Sequence, residues 1–286
     1  MSQKIIELHD DYAKGLMGRR EFFEKLAILA GGAAAAQALL PLLDNNYAKA
    51  QIIQRNGSRL DTEYIVYPGE TGDVRAYSAK PKGGAKLPSV IVIHENRGLN
   101  PHIEDVTRRM ALEGFFAVAP DALSPLGGTP EDANEARTRL GQLDGESTLQ
   151  NYLAAVKFLR THPSSTGKVG CIGFCWGGRV ANQVAVNAAD LTAAVPYYGS
   201  QPAPEDVPKI KASLLLHYGG LDQRINQGIP AFEEALKKAS VDYTIHVYEG
   251  ANHAFNNDTN PERYHEEAAA LAWQRTIAFL KEKLKS

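Results

Sequence analysis

Residues 168–178 read KVGCIGFCWGG, an apolar run that ends in glycines set around a single cysteine, Cys175. Val169 to Phe174 is short, apolar and rich in β-formers, and Arg179 to Asn187 then repeats with a helical period that puts Val180, Val184 and Ala185 on one face. The two segments predict a strand that turns sharply into a helix. The turn Gly173-Phe174-Cys175-Trp176-Gly177-Gly178 fits G-x-C-x-G, the cysteine form of the nucleophile elbow. Small residues two before and two after the cysteine permit a strained turn around which bulky side chains would not pack. Cys175 then sits at a helix N-terminus, where unpaired backbone N–H groups and the dipole favour a thiolate and a developing oxyanion. The competing reading is a glycine-rich strand-to-helix turn that holds an inert, buried cysteine.

The residues downstream bear on that choice. An elbow of this kind expects an acid and then a histidine, each on a loop after a later strand. Ser213 to Tyr218 is such a strand, and Gly219-Gly220-Leu221-Asp222 ends it with an acid. Tyr243 to Tyr248 is the next, after a helix-like segment, and Glu249-Gly250-Ala251-Asn252-His253 ends it with a histidine. Nucleophile, acid and base therefore follow in the expected order at the C-terminal ends of successive predicted strands.

From about Arg59 to the C-terminus the chain resembles the dienelactone hydrolase family of α/β-hydrolases. The resemblance is carried together by Val92-Ile93-His94-Glu95, the elbow hexapeptide, Gly219-Gly220-Leu221-Asp222 and Gly250-Ala251-Asn252-His253-Ala254-Phe255. It implies an α/β-hydrolase fold, with Cys175, His253 and Asp222 as a triad. Matching to the family also implies oxyanion-hole donors at the backbone N–H groups of Asn96 and Trp176. Glu95 matches the family acid that approaches the resting thiol and helps to generate the thiolate once substrate is bound. Glu95 also reads as an ordinary surface-loop acid, and Trp176 and Phe255 as core aromatics. His94, His217 and His246 lie in or at the ends of predicted strands and read as satisfied core histidines rather than ligands.

The rest of the chain suits that architecture. Thr62–Val66 and Val74–Ala79 alternate like the edge strands of an antiparallel hairpin, and Pro88–His94 is a continuous apolar run fit for a central parallel strand. Helical periodicity over Pro101–Glu113, a strand at Phe115–Ala119, a Gly/Pro-rich loop at Ser124–Pro130 and an amphipathic helix at Glu146–Thr161 lead back to the elbow strand. Leu191–Tyr197 supplies a further strand, and Pro261–Lys283 a closing helix. Alternating strands and helices predict a mostly parallel sheet with both faces covered. The 286 residues suit one such domain, 51–286, plus an N-terminal extension, 1–50.

That extension contains Gly18-Arg19-Arg20-Glu21-Phe22-Phe23-Glu24-Lys25, then a weakly apolar run from Leu26 to Leu43 and the small-residue stretch Ala48-Lys49-Ala50. It reads as a twin-arginine export signal that delivers the enzyme to the periplasm. The alternative is a helical extension of a cytoplasmic enzyme. The run is short, alanine-rich and broken by Gln37 and Pro41, so a stable membrane span is not expected.

A net charge of −2 with no basic stripe argues against nucleic acid as a partner. Cys171 and Cys175 are the only cysteines, with no second pair to complete a zinc site, so no metal and no cofactor is expected. The expected partner is a small ester or lactone, cleaved through a thioester. A peptidase or thioesterase on the same fold is the runner-up, and a non-catalytic binding protein with an inherited elbow is the alternative from another class. A homo-oligomer is compatible with the sequence.

One departure from the family concerns specificity. Its dienelactone-cleaving members hold the substrate carboxylate with two arginines, and the corresponding places here read Pro120-Asp121-Ala122-Leu123-Ser124-Pro125 and Asn257. Neither carries a cation, which leads to an expectation of neutral substrates. Arg97, two residues after Glu95, is the one candidate for a relocated anion contact; otherwise it is a surface-loop arginine.

Overall fold

The computed structural model describes residues 2–13, 16–43, 52–53 and 58–285. Alternating residues 60–81 pair as an antiparallel hairpin, β1 (Leu60–Gly69) and β2 (Gly72–Pro81), with Leu60 opposite Pro81 and Gly69 opposite Gly72. The other six strands are β3 (Leu87–Ile93), β4 (Phe116–Pro120), β5 (Ser165–Phe174), β6 (Ala193–Tyr197), β7 (Ser213–Gly219) and β8 (Tyr243–Tyr248). They form one sheet in the order β1-β2-β4-β3-β5-β6-β7-β8, parallel from β4 onward and antiparallel where β2 meets β4. After β3 the chain first builds outward to β4 and then returns to place β5 on the other side of β3. That reversal opens a crevice between the carboxyl ends of β3 and β5, where ligands of open α/β sheets bind.

The apolar runs split between the two sheet faces because successive side chains alternate. Ile91 and Ile93 join a core with the buried faces of helices spanning Gly145–Thr161, Trp176–Asn187 and Ile229–Lys238, while Val90 and Val92 join one with helices spanning Pro101–Leu112 and Glu266–Lys283. Cys171 lies in the first core with no exposed surface, and burial pushes its thiol up to about 12. In chain order the helices are α1 (Gln3–Ala13), α2 (Arg19–Ala30), α3 (Ala33–Leu43), α4 (Pro101–Leu112), α5 (Ala133–Leu140), α6 (Gly145–Thr161), α7 (Trp176–Asn187), α8 (Gln223–Asn226), α9 (Ile229–Lys238) and α10 (Glu266–Lys283). The closing helix begins at Glu266 rather than Pro261. Asn260 accepts backbone bonds from Arg263 and Tyr264 in a turn, and the His265 side chain then caps the helix by accepting from Ala268 N–H.

The N-terminal segment is helical. Ile5, Leu8, Phe22, Leu26 and Ala36 form a small core of its own. Arg19 and Arg20 start α2 on its exposed side, with Arg20 paired to Glu24 at 3.0 Å. Helix α1 docks on the α/β domain: Arg263 lies 2.8 Å from His9 Nδ1, and Arg137 stands 4.0 Å over the Tyr12 ring while donating to the Tyr12 carbonyl. Ala48-Lys49-Ala50 and the proposed boundary after residue 50 lie outside the described residues. No single helix among the described residues is long and apolar enough to cross a membrane; α2 and residues 33–40 pass that test only jointly, across a 110° bend.

Candidate active site

The end of β5 turns into α7 through Cys175 alone, and the residue takes φ 55°, ψ −111°, a strained conformation for a side chain with a Cβ. The turn closes only because its neighbours lack side chains. A Cβ on Gly173 would lie 2.1 Å from the Gly177 carbonyl oxygen, and one on Gly177 would lie 2.4 Å from the carbonyl oxygens of Ile93 and His94. The elbow is therefore pressed directly onto the end of β3. Cys175 N–H donates to the Tyr197 carbonyl, and the Cys175 carbonyl accepts from Arg179 N–H in the first turn of α7.

The acid and the histidine arrive on loops stitched to one another. Gly220 N–H donates to Tyr248 and Leu221 N–H to Ala251, which brings the ends of β7 and β8 together. Asp222 Oδ1 caps α8 at Ile225, leaving Oδ2 2.5 Å from His253 Nδ1. His253 Nε2 lies 3.0 Å from Cys175 Sγ. The three predicted triad positions thus form one continuous relay. Burial on its own pulls His253 down, but the charges of Cys175 and Asp222 and their hydrogen bonds outweigh it and carry the imidazole up to about 10. The imidazole is held between the Asp222 carboxylate and the Cys175 sulfur.

Glu95 is buried and is not among the residues lining the cavity over Cys175. Its Oε2 accepts from Asn257 Nδ2 at 2.5 Å and its Oε1 from the Tyr198 hydroxyl at 3.4 Å. Tyr198 connects it to the triad positions, with its ring centroid 5.1 Å from that of His253. No hydrogen bond joins Glu95 to Cys175 among the described residues; the thiol points to His253 instead. Asn257 turns its other end to Thr259, so both of its polar atoms are engaged within the protein. Phe255 is fully buried, and His217 is satisfied in the core by Tyr248 and Thr276.

A cavity of about 430 Å³ opens over the sulfur, lined by Asn96, Cys175, Trp176, Tyr198 and His253 together with Arg137, Arg179 and Arg224. The last three were not singled out in the sequence. Arg137 belongs to α5, an eight-residue, highly charged helix whose available signal was Asp132 followed by Glu135, a cap that accepts from the N–H groups of Asn134 and Glu135. Arg97 is buried and is not among the residues lining this cavity. A second cavity lies on the outer side of His253 and Asp222, bounded across from them by Gln3, Glu7 and Asp11 of α1. No group of three or more His, Cys, Asp or Glu among the described residues is placed to hold a metal ion.

The family model described as "Dienelactone hydrolase family" matches residues 74–284. The "Putative carboxymethylenebutenolidase" of Escherichia coli O157:H7 is 34% identical over 247 residues, covering 81% of this chain and 90% of the relative. The protein of the same description from Saccharolobus solfataricus is 32% identical over 253 residues, covering 76% and 97%. Among solved structures, the putative dienelactone hydrolase of Klebsiella pneumoniae superposes with a TM-score of 0.70 at 29% identity, covering 78% of this chain and 99% of that one.

Proposed function

The chain belongs to the dienelactone hydrolase family, and from that premise we propose that it hydrolyses carboxylic esters or lactones through a thioester on Cys175. The observation that carries this reading is the relay from Asp222 through His253 to the sulfur, with contacts of 2.5 and 3.0 Å. The Cys175 thiolate attacks the carbonyl carbon, a C–S bond forms, and the backbone N–H groups of Asn96 and Trp176 hold the resulting oxyanion. Collapse breaks the C–O bond, and His253 gives its Nε2 proton to the departing alkoxide. Neutral His253 then takes a proton from water, whose oxygen attacks the thioester; the C–S bond breaks and the thiolate and imidazolium are restored. Asp222 orients the ring and stabilises its positive form. Glu95 is held by Asn257 and Tyr198, and the sulfur faces His253 instead.

The acyl group is set by the cavity walls. Arg137, Arg179 and Arg224 line the same cavity as Cys175, so an anionic substituent meets guanidinium groups there. We therefore favour esters with a negative charge remote from the scissile bond. This proposal departs from the expectation of neutral substrates, which rested on residues 120–125 and Asn257 and took no account of α5. A panel of p-nitrophenyl esters, lactones, thioesters and peptides, run with Cys175→Ala beside the wild type, tests the function. Ester and lactone turnover lost in C175A supports it, whereas equal turnover in both proteins refutes it. Peptide or thioester turnover exceeding that of esters would favour the runner-up chemistry. Export through Arg19-Arg20 stays a proposal, supported by the exposed pair at the start of α2.

A further inference from the structure

His94 has no exposed surface and stands outside the cysteine relay, yet its contacts lead to both proposed oxyanion donors. Its ring stacks on Trp176, with centroids 5.2 Å apart and planes 8° from parallel. Its Nδ1 lies 2.6 Å from the Glu95 carbonyl oxygen, and its Nε2 lies 3.2 Å from the Ala122 backbone nitrogen. These two contacts fix the tautomer. A backbone N–H can only donate, so Nε2 accepts from Ala122 and the ring proton sits on Nδ1, donating to Glu95. Burial pushes His94 down, against the pull of Asp121 and the Glu95 carbonyl, in keeping with a neutral ring.

The Glu95 carbonyl and the Asn96 N–H belong to one peptide plane. In a trans peptide they point in opposite directions, and no cis peptide is present among the described residues. Holding the carbonyl on the imidazole therefore turns the Asn96 N–H away from it, and Asn96 lines the cavity above Cys175. A plane free to rotate would instead present the carbonyl oxygen, whose dipole repels a developing anion. The second donor, the Trp176 N–H, opens the helix whose indole His94 stacks upon, and the bare Gly177 lets that turn press on the carbonyl of His94 itself.

We propose that His94 is the positioning residue of the oxyanion site: its Nδ1–H fixes the Glu95–Asn96 peptide and its ring face fixes Trp176, so that both N–H groups converge on the substrate carbonyl oxygen. This rests on the acyl-transfer role of Cys175 and adds a residue that touches neither substrate nor sulfur.

Three variants separate the parts. His94→Phe keeps an aromatic face for Trp176 and loses the donor, His94→Asn returns an amide N–H near the place of Nδ1, and His94→Gln puts its amide near the place of Nε2. Hydrolysis of p-nitrophenyl acetate is measured beside alkylation of Cys175 by iodoacetamide, a displacement that forms no oxyanion. The expected result in H94F is a kcat lower by about 10²-fold with KM changed by less than about threefold and alkylation unchanged. H94N should recover about tenfold or more of that loss and H94Q little of it, since one misaimed donor accounts for the defect. A wild-type kcat in H94F would overturn the proposal. So would alkylation falling in step with kcat, because His94 would then merely hold the fold. Hydrolysis undiminished in C175A would sink the cysteine reading itself, a result read without any change at His94.

Discussion

Two loops meet at Cys175, and each carries a buried histidine, but the two rings are tuned in opposite directions. His253, after β8, has the Asp222 carboxylate on one nitrogen and the Cys175 sulfur on the other, and is raised to about 10. His94, after β3, bonds only to backbone groups and is lowered by its burial. Both are almost without solvent contact, so burial does not decide which one carries charge. Partners decide: burial lowers both rings, but the Asp222 carboxylate and the Cys175 sulfur on the nitrogens of His253 outweigh it, whereas the backbone dipoles on the nitrogens of His94 do not.

The contrast breaks most easily at His253. Replacing His253 by Ala, or Asp222 by Asn, should lower kcat by about 10³-fold or more, and the loss should not add to that of C175A because the three act as one unit. Simple additivity would show that they do not. The pH profile gives the same contrast a sign. The folded-state value of His253 stands above its usual 6.5, so its contribution to stability is complete below about pH 6.5 and is lost as pH rises through about 10. The imidazolium that protonates the leaving group is lost over the same range, so kcat should fall in an alkaline limb near 10. Asp222→Asn removes one of the charges that raise the ring, so whatever activity remains should lose its alkaline limb at lower pH. An unmoved limb would mean that another group sets it.

The His94 series is next in size, at about 10²-fold, and sharpens the comparison because its defect should appear in kcat while the reactivity of Cys175 stays intact. Smaller still is the arginine wall. The kcat/KM for a dicarboxylic half-ester over that for its methyl diester should fall by about two- to fivefold for each of Arg137→Ala, Arg179→Ala and Arg224→Ala, as expected for charges open to solvent (Arg179, Arg224) or half-buried (Arg137). A half-ester preference that survives the triple variant would remove these residues from substrate recognition, and a preference for the diester in the wild type would restore the neutral-substrate reading. The smallest effect on turnover is expected at the other end of the chain. Arg19→Lys with Arg20→Lys should leave activity in lysate unchanged while blocking recovery from the periplasmic fraction, and wild-type protein found only in the cytoplasm at full length would end the export proposal.

What the sequence made legible was local. The glycines around Cys175 and the apolar runs behind it each lie within a few residues, Asp222 and His253 each stand a few residues past the end of an apolar run, and the mostly parallel sheet follows from those runs. The edge hairpin was equally plain in the alternation of residues 62–66 and 74–79, which the pairing of the two strands extends to 60–81. What stayed hidden depends on contacts between distant segments. Asn257 reads as a place where an arginine is missing, and only in the fold does it meet Glu95, 162 residues away. His94 reads as a core histidine, which it is, but its tautomer is set by Ala122 at the end of another strand. Arg137 carries little signal in the sequence because α5 is short and polar, with just Ala136 and Leu140 buried to mark its inner face. The packing of α1 against Arg137 and Arg263 had no signal beyond helical periodicity, since a guanidinium that reaches a backbone carbonyl or an imidazole ring carries no pattern of its own.

The central claim is a covalent one, that the acyl group passes through the sulfur of Cys175. Enzyme mixed with p-nitrophenyl acetate, quenched in acid during the first turnovers and analysed by intact mass and peptide mapping, reports on it directly. The account predicts one acetyl group per chain on the peptide that contains Cys175, formed with the burst of p-nitrophenol and lost as turnover proceeds. Steady hydrolysis with that peptide unmodified at every quench time, and undiminished in C175A, would contradict it.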